Sequence, residues 1–100
     1  MKFGEFRKYV SRIDRVSICR LETSEYRNYQ FISNVPSDYD ELYLFGVGRI
    51  QSEFPLCMCY DVAAQKYGEM PEDKLEEMVY AECIEIMLSD KPREFNDTTT

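Results

Sequence analysis

One hundred residues, 12 of them basic and 19 acidic, with no histidine and a formal net charge of −7, argue against a two-domain enzyme. The apolar uncharged runs at 42–48 and 54–60 fall far short of the ~20 residues that span a bilayer. Leu, Ile, Val and Phe number 24 in all, enough for a charged chain of this length to fold around one modest core.

The charge is polarised along the chain. Residues 1–30 balance to +3, through Lys2, Arg7, Lys8, Arg12, Arg15, Arg20 and Arg27, and residues 31–100 to −10. The densest acidic stretch is 69–90, where Lys74 is the single base. Phosphate binding needs a basic surface that releases counterions, so nucleic acid is not expected as a direct partner, and a basic protein surface is. The charged N-terminus lacks an apolar stretch of signal-peptide length, which predicts a cytoplasmic protein.

In chain order, Phe3, Phe6, Val10 and Ile13 recur at helical spacing and predict a short amphipathic N-terminal helix. Alternation over 14–22, with β-branched Val16 and Ile18, predicts a strand. The turn-like residues 23–25 and a second extended segment over 29–34 complete a hairpin. Pro36 breaks the pattern. Strands follow over 42–47 and 56–61, the latter leading into a short helix or loop over 63–67.

Pro71, followed by Glu72 and Asp73, reads as a helix start, and Leu75, Met78 and Val79 supply a buried stripe for a C-terminal helix over 71–81. Ile84, Ile86 and Leu88 alternate and predict a closing strand, and 96–100 reads as a frayed tail. The expected fold is a single α+β domain over 1–95. It has a mainly antiparallel sheet of four to five strands, and no parallel unit is evident.

Absent histidine excludes Ser-His-Asp and Cys-His machinery. The glycines at 46 and 48 fit no phosphate loop. Cys19, Cys57, Cys59 and Cys83 read as buried thiols in a reducing setting. Cys57 and Cys59 fall on one strand face with spacing unsuited to structural zinc, so no metal, cofactor or catalytic residue is expected.

What remains is a binding surface in which tyrosine stands beside carboxylate: Tyr39 with Asp38, Asp40 and Glu41, and a helical acidic group of Glu72, Asp73, Glu76 and Glu77. Such a surface buries ring area while its acids select Lys and Arg. Tyr26 and Tyr39 are the expected interface tyrosines. Tyr29, Tyr43 and Tyr60 are expected to pack on the sheet.

Val35-Pro36-Ser37-Asp38-Tyr39, followed by Leu42-Tyr43-Leu44-Phe45-Gly46-Val47-Gly48, resembles small acidic accessory proteins of phages and conjugative elements of Gram-positive bacteria over residues 1–50. That company includes anti-CRISPR proteins. The resemblance carries no residue role and implies a stoichiometric inhibitor or decoy of a basic, nucleic-acid-handling protein such as an RNA-guided nuclease. The alternatives are a homo-oligomeric structural or regulatory module, such as a homodimer, and a metal- or small-ligand-binding protein, including a nucleotide sponge, that uses Cys57 and Cys59 or a sheet-lined pocket.

Overall fold

A computed structural model describes residues 1–10 and 14–92. Ile13 of the N-terminal stripe and the tail expected at 96–100 lie outside the described residues.

The architecture is α+β, built on a four-stranded mixed sheet. Its strands are β1 (Val16–Arg20), β2 (Glu25–Tyr29), β3 (Tyr43–Pro55) and β4 (Met78–Ser89), and they lie in the order β2-β1-β4-β3. β1 and β2 form the expected hairpin, with Val16 opposite Tyr29 and Arg20 opposite Glu25. β4 pairs antiparallel with β3 and parallel with β1, Val16 opposite Ile84 and Arg20 opposite Leu88. The expectation of a mainly antiparallel sheet without a parallel unit is therefore corrected. The strand latest in the chain enters between β1 and β3, where two apolar neighbours cover its edges.

Two apolar cores lie on opposite faces of β4, because residues an odd number of places apart point to opposite sides of a strand. Ile86 and Leu88 join Val16, Ile18, Phe3, Ile32, Val35 and Leu42 in the first core. The helix α1 (Phe3–Phe6) and a following 3₁₀ turn cover that face, in place of a longer N-terminal helix. Gly4 lets α1 lie close, since a Cβ there would stand 2.9 Å from the Cβ of Asp40. Cys83 and Ala81 join Phe54 and Cys59 in the second core. This one is roofed by α2 (Tyr60–Tyr67), whose Ala63 is fully buried. Gly68 ends α2 at φ 78, the left-handed conformation that favours glycine, with its N–H donated to Ala64 O at 2.9 Å.

The C-terminal helix expected over 71–81 does not form. Glu72–Lys74 is a single 3₁₀ turn after Pro71, and β4 begins at Met78. The carbonyls a helix would use internally go elsewhere: Leu75 O accepts from the Cys57 N–H at 3.0 Å, and Glu77 O from the Leu56 N–H at 2.8 Å. Val79, Ala81 and Cys83 then face the core, and Met78, Tyr80 and Glu82 face outward, a two-residue period in place of a helical one. The strand expected over 56–61 is likewise a 3₁₀ turn, Leu56–Met58, followed by the start of α2. The second hairpin strand sits earlier than expected, and Ile32–Asn34 is a 3₁₀ turn.

Candidate functional site

The structure does not bring the two predicted acidic groups together. Residues 38–41 precede β3 and residues 72–77 precede β4, whose Met78 lies opposite Pro55 at the far end of β3. About 40 Å of strand separates them, at ~3.3 Å per residue.

The first group is largely tied within the chain. Arg7 donates from Nη1 to Asp40 Oδ1 at 2.6 Å, and from Nη2 to the carbonyls of Ile32 and Val35 at 2.7 and 2.6 Å. Lys2 donates to Glu41 Oε1 at 2.9 Å. Tyr39 is half-buried against the first core, which leaves Asp38 exposed.

The second group is different. Glu72, Asp73 and Glu76, together with Glu69, are exposed and make no ion pair among the described residues. Glu77 is the exception. Its carboxylate accepts from the Tyr67 hydroxyl at 2.9 Å and lies 3.6 Å from Lys66 Nζ. The Tyr67 hydrogen bond, aided by Lys66 and Lys74, holds it below the usual carboxylate range.

Next to this loop, the Met78–Glu82 end of the β3–β4 ribbon has, on its face away from α2, no covering element among the described residues, whereas α1 covers the same face at Ile86 and Leu88. Tyr80 is 66% exposed, Met78 52% and Val47 48%. Arg49 pairs with Glu82 at 3.1 Å, and the Tyr80 hydroxyl donates to Glu53 at 3.3 Å. Reading 71–81 as a helix hid this face. Strand alternation from Met78 through Glu82 is the signal that finds it.

A groove of about 650 Å³ opens beside the ribbon, lined among others by Asp14, Arg15, Arg49, Tyr60, Asp61 and Glu82. Tyr60 is 71% exposed, against the expectation that it packs on the sheet, whereas Tyr29 and Tyr43 are half-buried as expected. Tyr26 is exposed, and its hydroxyl donates to Glu85 at 2.9 Å, which pushes its pKa up to about 12.

The cysteines divide. Cys19, Cys59 and Cys83 are buried, but Cys57 is exposed on its 3₁₀ turn, so Cys57 and Cys59 do not share a strand face. Burial pushes the Cys59 and Cys83 thiols up. Among the described residues no group of three His, Cys, Asp or Glu side chains could hold a metal ion.

Arg15 anchors the groove. It donates to both oxygens of Asp61 at 2.7 and 3.2 Å and to the Glu82 carbonyl at 3.0 Å. That contact holds Asp61 below the usual carboxylate range, with the hydrogen bond from Arg15 as the largest cause. A carboxyl depressed in the folded state stabilises above its unfolded value of about 4, and the contribution is lost as pH falls through the lower folded value. Glu22 follows the same rule through its bond from Ser89. Stability measured by urea unfolding is therefore expected to decline below about pH 4, and Asp61→Asn should narrow the difference between pH 7 and pH 3. Parallel acid limbs for the variant and the parent would refute this assignment.

Comparison with family models, with curated proteins and with solved structures returned no match. Among the described residues no helix is long and apolar enough to cross a membrane.

Proposed function

We propose that this chain is a stoichiometric protein-binding inhibitor or decoy. It acts in the cytoplasm on a basic, nucleic-acid-handling partner such as an RNA-guided nuclease, and it acts by binding, without chemistry of its own. One observation carries the reading: Glu69, Glu72, Asp73 and Glu76 stand exposed without counter-ions among the described residues, next to the exposed Met78 and Tyr80. Carboxylates unengaged at home are available to lysine and arginine on a partner, and an exposed tyrosine beside them supplies area at low entropic cost. The group at 38–41 contributes less, because Arg7 and Lys2 already hold Asp40 and Glu41.

The test is binding to purified RNA-guided nucleases, and capture from a bacterial lysate, at 50 and 300 mM KCl. Wild type is compared with the Glu72→Gln, Asp73→Asn, Glu76→Gln triple variant. Association is expected to weaken steeply with salt, and the triple variant to bind at least about tenfold more weakly, ~1.4 kcal/mol. Capture indifferent to both salt and the substitutions would overturn the reading.

A further inference from the structure

The basic first third of the chain is only partly used by the fold. Lys2, Arg7 and Arg15 each sit at hydrogen-bond distance from a carboxylate, at 2.9, 2.6 and 2.7 Å. Arg20 and Arg27 are held more loosely: Arg20 Nε lies 3.5 Å from Glu22, and Arg27 Nη2 donates to Glu25 Oε2 at a long 3.5 Å.

For Arg20 the cause is visible. Glu22 accepts at one oxygen from the Ser89 hydroxyl and at the other from the Asp90 N–H, which holds it 3.5 Å from Arg20 Nε, and that buried Nε has no hydrogen-bond partner among the described residues. For Arg27 the partner is two residues away on an edge strand, and both side chains are mostly exposed, a geometry in which an ion pair contributes little.

These two arginines line the same concavity at the end of the β1–β2 hairpin. It has a volume of about 210 Å³ and is completed by Ile18, Thr23, Glu25 and Tyr39. Its lining carries two arginines, a threonine and one opposing carboxylate, a balance of +1 on a chain whose total is −7, with Glu22 just outside the lining 3.5 Å from Arg20.

We propose that this concavity is an oxyanion site that takes the phosphate group of a small phosphate or phosphate monoester. Guanidinium forks match the geometry of phosphate oxygens and bind them with charge-assisted hydrogen bonds. Ile18 and Tyr39 offer an apolar wall for the organic part of a monoester. Glu25 opposes the ligand and limits affinity. The site is separate from the proposed protein-binding face: Leu21 donates to Leu88 O near the end of β4, and that face begins with Met78 at the start of the same strand.

The experiment is a ¹H–¹⁵N titration at pH 7.5 with phenyl phosphate and, separately, with inorganic phosphate. Saturable shifts centred on Arg20, Thr23 and Arg27 are expected, with a dissociation constant of about 1 mM. Tighter binding of phenyl phosphate assigns the site to a monoester, and equal binding assigns it to free phosphate. Arg27→Gln alters an exposed side chain and should weaken binding at least about fivefold, whereas Glu25→Gln should strengthen it by a similar factor. The absence of saturable shifts up to about 20 mM, or the same affinity in Arg27→Gln as in wild type, would overturn the proposal.

Discussion

Phe54→Ala is expected to lower folding stability by about 3–5 kcal/mol, the cost of emptying a fully buried phenylalanine site. Phe54 is 0% exposed and belongs to the second core with Cys59, Ala81 and Cys83, with Val62 of α2 and Val79 of β4 packed alongside. That core is small, so little remains nearby to collapse into the space, and the loss should fall at the upper end of the range. Because small domains have only ~5–15 kcal/mol in total, a change of this size leaves the fold marginal. It also loosens α2 from the ribbon that carries Met78 and Tyr80. Urea unfolding followed by circular dichroism measures the effect, and a loss below about 1 kcal/mol would mean that α2 is not seated as described.

Arg7→Met is expected to cost about 3 kcal/mol, although it keeps much of the side chain's volume. Arg7 bridges Asp40 and the carbonyls of Ile32 and Val35, and its guanidinium stands 4.9 Å from the centre of the Phe3 ring. Its side chain is only 17% exposed, and Asp40 is 35% exposed. Removing it leaves a half-buried carboxylate and two carbonyls without their donor. Arg7→Lys should recover less than half of the loss, since an ammonium lacks the planar fork that reaches three acceptors at once. Equal stability of the lysine variant and the parent would show that charge alone, and not the fork, matters.

The parts of the fold legible in the sequence are those whose pattern is local. Val16 and Ile18 in β1 and the alternation of Ile84, Ile86 and Leu88 each signal a strand within a short window and lie in strands, and the turn expected at 23–25 forms two residues earlier, over 21–24, with Glu25 opening β2. The stretch around residues 71–81 was ambiguous because two periods coexist there. Leu75, Met78 and Val79 fit a helical stripe, whereas Val79, Ala81 and Cys83 fit a strand. The choice is made by Arg49 through Pro55, which pair with Met78 through Ile84 from a distance in sequence that local patterning does not register.

The same override explains the parallel pairing of β1 with β4, which no adjacent pair of elements announces. For the candidate site, the acidic character of 69–76 was readable from composition. Its availability was not, because that depends on which acids meet Arg7, Lys2 or Lys66. Arg7 and Lys2 precede their carboxylate partners by more than 30 residues.

The position of β4 has a consequence for how the protein comes into being on the ribosome. It is the last of the four strands to be synthesised and the one that joins the other three into a sheet. While it is still in the exit tunnel, the β1–β2 hairpin and β3 have no shared neighbour, and an isolated two-stranded hairpin is marginal in water. Both cores draw residues from β4, so neither can close early. The nascent chain therefore gains its native structure in one late step, after residue 89 has emerged. A message truncated before the codon for Met78 would yield a product lacking the strand that both cores share, open to proteolysis.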